Sequence, residues 1–183
     1  MIYLPNKFER YLASLRNYLQ NRSLKYGITP HILENMRKIY TAEALLCGDF
    51  IEPVDIGKLS SQILSAVYIK SIEKNLPFEF KIDCKGNVLI NKKLYTALLL
   101  NLCKKAEKIT LISLNGQILI KARNANKKTA FSLSKALGGI IFFERKLKSF
   151  IIILSPTATD KKAENNIYFD LNNPFCEVNY FIY

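Results

Sequence analysis

The stretch Leu94–Ala106, LYTALLLNLCKKA, decides the fold because it is a largely apolar helix-forming run with Asn101 inside its apolar centre, LLLNL. Downstream of it, the segments ITLISL and QILIKARN flank Asn115–Gly116, and an Asn-Gly pair between two alternating apolar runs predicts a two-residue β-hairpin. A short helix over about residues 129–137, Gly138–Gly139 and two further strand-like segments follow. This order predicts an α+β fold in which helices cover one face of a sheet.

Two amphipathic helices are predicted upstream of this sandwich. Apolar residues three and four positions apart indicate one helix over residues 6–25 and a second over residues 30–47. Gly27 ends the first helix, and Thr29–Pro30 begins the second. The short connection makes the helices antiparallel neighbours. Their apolar stripes are wider than a two-helix seam, so we expect a homodimer in which two hairpins form a four-helix bundle.

The same patterns divide the chain into three parts. Residues 1–50 form the hairpin, residues 51–155 form a two-layer α/β sandwich, and residues 156–183 form a C-terminal extension. Within the extension, residues 156–168 are predicted to be exposed linker. A strand over residues 177–183 is predicted to cover a sheet edge.

The chain is basic, with 27 Lys and Arg against 15 Asp and Glu and a net charge of +12 over 183 residues. Eight of the basic residues, against the single acid Glu144, lie within residues 111–150. A positive surface of this kind favours acidic partners or anionic ligands without specifying which.

The cysteines predict no metal site and no disulfide framework, because they are far apart and form no CxxC or Cys–His pair. Buried free thiols in a reducing cytoplasm are the expected state of Cys47, Cys84, Cys103 and Cys176. No run approaches 18 consecutive apolar residues, so we expect no membrane span and a cytoplasmic location.

Over roughly residues 8–155, the order of elements resembles the dimerisation and ATP-binding halves of sensor histidine kinases. The compact layout is most similar to the sporulation-type phosphorelay phosphotransferases. In kinases of this family the motif N-L-x-x-N-A places one Asn at the phosphates and a second on Mg²⁺. Asn101 stands at the first position and Lys105 at the second. An ammonium group has no lone pair, so it cannot coordinate a cation, although it can meet a phosphate.

The resemblance also implies a degraded adenine site. Kinases have an Asp and then a Gly on the strand after the Asn helix, and the matching positions here are Asn124 and Asn126. There is no lid or Gly-rich loop between this strand and the next helix, so the phosphates lack a cradle and no cofactor is expected. Asn101, Lys105, Asn124 and Asn126 are therefore interpreted as a vestigial nucleotide site. The alternative for Asn101 is a hydrogen bond to neighbouring backbone at the rim of the core.

Seven cations near this region have two interpretations. They could face one vacated pocket that holds a phosphate or an acidic partner, or they could form a solvated lysine-rich face. The residues are Lys104, Lys105, Lys108, Lys121, Arg123, Lys127 and Lys128.

The phosphoacceptor of the family is a His on the first helix, and its equivalent here is Ala13, within ASLRNYL. If the apolar stripe faces the core, Ala13 faces solvent, but a methyl group cannot be phosphorylated. His31, the one histidine, lies in the first turn of the second helix, where a capping or surface role competes with that of a shifted phosphoacceptor.

Three functions remain in competition. The first is a non-catalytic dimeric signalling protein that binds a response regulator or kinase partner through Arg16, Asn17, Arg22 and Lys25. The second is a phosphorelay phosphotransferase or weak ATP-binding enzyme. The third is a basic nucleic-acid-binding module, which we rank last because the aromatic residues occupy core-like alternating positions rather than interleaving with the bases.

Overall fold

A helical hairpin forms the N-terminal part of the protein. The computed structural model describes residues 7–46, 50–125, 127–163 and 167–182, with the backbone alone described at residues 127 and 128. Helix α1 spans Lys7–Tyr26 and α2 spans Pro30–Leu46. Gly27 has a φ of 82° and donates its N–H to the Ser23 carbonyl, which ends α1 as predicted.

Three helices and eight strands follow among the described residues, together with a short 3₁₀ helix. In chain order they are β1 (Glu52–Asp55), α3 (Ile56–Glu73), β2 (Glu79–Asp83), β3 (Asn87–Ile90), α4 (Lys92–Cys103), β4 (Lys108–Leu114), β5 (Gln117–Arg123), α5 (Lys127–Ala136), β6 (Ile140–Glu144), β7 (Ser149–Leu154), β8 (Thr157–Ala158) and the 3₁₀ helix (Glu177–Tyr180). Side chains cap three of the helices. Thr29 accepts from the Ile32 N–H at the start of α2, Asp55 from the Lys58 N–H at the start of α3, and Asn91 from the Leu94 N–H at the start of α4.

The strands form two sheets. The larger has the order β2-β4-β5-β7-β6, with β2 parallel to β4 and the other pairs antiparallel. Alternate residues such as Ile109, Leu111 and Ile120 are fully buried beneath the helices, whereas Lys108 and Arg123 lie exposed on the opposite face. The smaller antiparallel sheet has the order β1-β3-β8. The α+β prediction, with helices covering a mixed sheet, is confirmed.

The hairpin between β4 and β5 matches its sequence signal. Asn115 and Gly116 have φ values of 50° and 76°, and Leu114 lies opposite Gln117. Two consecutive positive φ angles suit the right-handed twist of the flanking strands, which is why the Asn-Gly pair specifies this turn.

The C-terminal extension differs from its prediction. Residues 177–180 form a 3₁₀ helix rather than a strand, and this helix packs on α2 and α3. Phe181 is buried and meets the Tyr40 ring edge-on, with 6.1 Å between ring centroids. The alternation of apolar residues resembles a strand, but here Val178 and Tyr180 are buried by packing of the 3₁₀ helix on other helices. The predicted linker contains β8, which pairs with β3.

The two hairpin helices differ in how their apolar stripes are covered. On α2, Met36, Ile39 and Ala44 are buried inside the chain, where the helix packs on α4 and the 3₁₀ helix. On α1, Leu12 and Leu19 are buried, but the aromatic residues of the stripe are exposed. The surface that remains for a second copy therefore lies on α1, and the predicted bundle remains a prediction.

Candidate functional site

Asn101 lies at the centre of a buried polar contact between the hairpin and α4. It is 1% exposed, and its side-chain amide nitrogen donates to the Ala97 carbonyl at 2.8 Å and to the Thr41 hydroxyl oxygen at 3.2 Å. Its side-chain oxygen accepts from Nη1 of Arg37 at 3.1 Å. An Asn side chain offers two donors and one carbonyl oxygen, so both donors and the oxygen have partners inside the protein.

Arg37 reaches Asn101 from α2 and is itself buried. Its Nε donates to Oε2 of Glu34 at 3.1 Å, and its Nη2 makes a second, shorter contact with the same carboxylate. Lys104, just after α4, donates to Oε2 of Glu34 at 2.5 Å. We call Glu34, Arg37, Thr41, Asn101 and Lys104 the buried network. It joins α2 to α4 through charge-assisted hydrogen bonds in a place of low solvent access.

The sequence analysis did not identify Arg37 or Glu34. The available signal was the position of Arg37, three residues before the buried Tyr40 and one after the buried Met36, inside the apolar stripe of α2. A cation at a core position needs a buried partner, and the polar residue within the apolar α4 run could supply one. The pairing itself spans 64 positions in the chain, so only the fold brings it together.

The other residues of the expected nucleotide site lie elsewhere. Lys105 is exposed and lines a cavity of about 200 Å³ with Cys103 and Phe78. Asn124 lines a different cavity of about 510 Å³ whose wall is mostly basic. Asn126 lies outside the described residues. The structure thus places Asn101, Lys105 and Asn124 in three different surroundings.

The expected cation cluster is also divided. Lys108, Lys121 and Arg123 line the cavity of about 510 Å³, whereas Lys104 belongs to the buried network. Two further members of the expected cluster, Lys127 and Lys128, have side chains outside the described part of the structure.

The hairpin residues expected to bind a partner are spread around α1. Arg16 forms an ion pair with Glu43 of α2, whereas Asn17, Arg22 and Lys25 are exposed. At about 100° per residue, Asn17 lies about 140° from Arg22 around the helix. Arg22 and Lys25 share one cavity wall with the aromatic residues Tyr18 and Tyr26.

Ala13 is exposed on α1, and its methyl group supplies no phosphoacceptor. His31 is also exposed, and its Nε2 accepts a hydrogen bond from the Asn35 amide at 3.0 Å. The imidazole therefore has a local partner one helical turn away.

The cysteines offer no reactive thiolate among the described residues. Cys84, Cys103 and Cys176 are free and buried, as predicted, while Cys47 lies outside the described residues. Burial, with a smaller contribution from Asp83, raises the pKa of the Cys84 thiol to about 11. Burial also raises the thiol pKa of Cys103 and Cys176. Thiols of this kind stay protonated at neutral pH and are poor nucleophiles.

The described part of the chain contains neither a candidate metal-binding cluster nor a candidate membrane-spanning helix. No group of three or more His, Cys, Asp or Glu side chains within it could hold a metal ion. None of its helices is both long and apolar enough to span a membrane.

No protein-family model and no curated protein matches the chain. Among solved structures, it is similar to a nucleotide-free form of the catalytic domain of histidine kinase ThkA, at 16% identity and a TM-score of 0.49, over 60% of this chain and 99% of that one. It is similar to the Acinetobacter baumannii histidine kinase AdeS at 11% identity and a TM-score of 0.48, over 83% and 97%. It is also similar to ThkA in complex with the response regulator protein TrrA, at 15% identity and a TM-score of 0.46, over 84% and 60%.

The buried network makes a stability prediction. Replacing Arg37 with Ala leaves the Asn101 oxygen without its donor and removes one of the cations that contact Glu34, so we expect a loss of about 2 to 3 kcal/mol in the free energy of unfolding. Urea denaturation followed by circular dichroism measures it. Lys38→Ala, at the next and exposed position of α2, is the matched control and should change stability by less than about 0.5 kcal/mol. Equal midpoints for the two variants would contradict the role given to Arg37.

Proposed function

We propose that this chain is a non-catalytic, dimeric regulatory protein with a degenerate histidine-kinase-like fold, which binds a two-component signalling partner. The observation that carries the proposal is the hydrogen bond between Arg37 and Asn101. In the family that the sequence resembles, the equivalent Asn faces a nucleotide. Here its side chain is committed to α2 and to its own helix.

Two further observations support the loss of catalysis. Ala13 is exposed at the phosphoacceptor-equivalent position and has no atom that can accept a phosphoryl group. Lys105 carries an ammonium group where the family has a metal-binding oxygen. A nucleotide would have to displace α2 from α4 to reach Asn101, and would break the buried network in doing so.

The dimer is supported by an exposed stripe on α1. Phe8, Tyr11 and Tyr18 are 53%, 59% and 56% exposed, and with the partly buried Leu15 they follow the spacing three, four, three. That spacing is a heptad seam, the pattern by which one helix packs along another. We call these four residues the aromatic stripe. A second copy would cover the stripe with its own, which makes the contact self-complementary.

We propose the loop end of α1 as the surface that contacts the partner. Arg22 and Lys25 are exposed there beside Tyr26, a combination that suits an acidic surface on a response regulator or kinase. Asn17 is exposed on another side of the helix and would contact the same partner only if it wrapped around α1. Arg16 is assigned to the hairpin because it pairs with Glu43.

The non-catalytic state predicts the response to nucleotide. Tripolyphosphate serves as a control for binding by charge alone, so ATP with Mg²⁺ should stabilise the protein no more than tripolyphosphate with Mg²⁺ in a thermal unfolding assay. A ligand at about 100 times its dissociation constant would add about 2.7 kcal/mol, which the assay resolves. Neither radiolabelled ATP nor a phosphorylated receiver domain should leave an acid-labile label on the chain. Label that disappears in His31→Gln would instead establish the phosphotransferase alternative.

The aromatic stripe predicts the oligomeric state. Light scattering coupled to size-exclusion chromatography should give a dimer for the wild-type chain. The double variant Tyr11→Glu and Tyr18→Glu should give a monomer, because it places charges in the seam. Leu24→Glu is the matched control, since Leu24 is 77% exposed but lies more than 100° away around α1. A monomeric wild type, or a dimer that survives the double variant, would refute this interface.

Charge reversal at the loop end tests partner binding. The double variant Arg22→Glu and Lys25→Glu should weaken capture of the cognate receiver domain by tenfold or more, because the reversed charges repel an acidic surface. Calorimetric titration against a panel of purified receiver domains from the source organism measures it. Lys38→Glu, at an exposed position of α2, controls for charge reversal away from this surface. Unchanged affinity in the double variant would remove this surface from the proposal without affecting the nucleotide result.

A further inference from the structure

A basic groove crosses the outer face of the larger sheet, on the side that the helices do not cover. It encloses about 510 Å³. Its walls come from β4, from the end of β5 and from the turn between β6 and β7. The lining residues are Lys108, Thr110, Lys121, Arg123, Asn124, Lys146, Leu147, Lys148 and Ser149.

Strand register concentrates the cations of this groove. Lys108 lies directly opposite Arg123 in the β4–β5 pair, and Thr110 lies opposite Lys121. Cross-strand neighbours on one face are about 5 Å apart at their Cβ atoms, and like charges in such pairs destabilise a sheet. A bound anion would remove that repulsion. The Lys108–Arg123 pair is therefore electrostatically unfavourable, and an anionic ligand would offset that repulsion.

Carboxylates at the rim neutralise only part of the charge. Lys108 pairs with Glu79 at 3.0 Å, Lys121 with Glu144 at 3.2 Å and Arg123 with Glu107 at 3.5 Å. For Lys146 and Lys148, no carboxylate of the described residues lies within ion-pair distance. Five cations and three carboxylates leave two positive charges in excess.

The backbone around the groove is held in an unusual conformation. Asn124 and Lys148 have φ values of 59° and 46°, in the left-handed region, and the Asn124 N–H donates to the Lys148 carbonyl at 2.9 Å. A Lys in this region is strained, and Gly would adopt it more easily. Because the strained backbone of Lys148 lies at the rim of the cavity, it indicates a functional role for the Lys148 side chain.

We infer that the basic groove binds a small ligand that carries two or more phosphate groups. Ammonium groups act as point charges toward phosphate oxygens, and the Thr110 hydroxyl and the Asn124 amide add uncharged donors. Among the described residues that line the groove, Leu147 alone is apolar and none is aromatic. A nucleobase therefore has no stacking surface, which favours a compact polyphosphate over a nucleic-acid strand. The volume is in the range of small-molecule sites.

The site is independent of the buried network. Asn101 lies between α4 and α2 on the covered side of the sheet, whereas the groove opens on the other side. Phosphate binding here would therefore leave the non-catalytic proposal intact, and failure of one proposal does not imply failure of the other.

Calorimetric titration with inorganic tripolyphosphate tests the inference. The wild type should bind it, and Lys148→Gly should bind it at least tenfold more weakly while its melting temperature stays equal or rises, because Gly relieves the left-handed strain. That combination separates loss of a ligand contact from loss of folding. Lys146→Ala should also weaken binding, and Lys38→Ala, an exposed lysine on α2, should not.

Three results would overturn the inference. The first is that the wild type binds no tripolyphosphate at low salt. The second is that Lys148→Gly and Lys146→Ala bind it as tightly as Lys38→Ala. The third is that a single-stranded oligonucleotide or poly-glutamate binds more tightly than tripolyphosphate and depends on the same two lysines, which would assign the groove to a macromolecule.

Discussion

The hydrogen bond from Arg37 to Asn101 is the constraint on which the rest of the structure depends. It joins the guanidinium of Arg37 in the hairpin to the side-chain oxygen of Asn101 in α4. Both residues are buried, and either group without a hydrogen-bond partner would lower the free energy of unfolding. Glu34 holds the guanidinium from its other side. The hairpin is therefore packed onto the sandwich, and the Asn101 side chain contributes to that packing.

This packing determines which surfaces stay available. Because α4 and the 3₁₀ helix cover the apolar stripe of α2, the exposed aromatic stripe of the hairpin lies on α1. Because all the helices lie on one side of the larger sheet, its opposite face presents the basic groove. A protein of this layout has two separate surfaces of different chemistry, one aromatic and one cationic, which can serve different partners.

Local sequence patterns predicted the structure correctly where a single physical factor determined it. Gly27, the Asn115–Gly116 turn and the apolar run of α4 each specify their own structure through backbone freedom or burial. The pattern failed at residues 177–180, where the alternating residues Val178 and Tyr180 are buried but the backbone forms a 3₁₀ helix. The partner of Arg37 could not be predicted from the sequence either, because a contact between residues 64 positions apart produces no periodic sequence pattern.

The sequence by itself determined the α+β class and the two helices of the hairpin, because periodicity and residue chemistry are local properties. Only the tertiary structure decided what Asn101 contacts and which lysines share a groove. Hydrogen bonds depend on distance and angle between residues that are far apart in the chain, and strand register decides which cations face one another. The chemistry of each residue can be predicted from the sequence, whereas the residues that it contacts are decided by the tertiary structure.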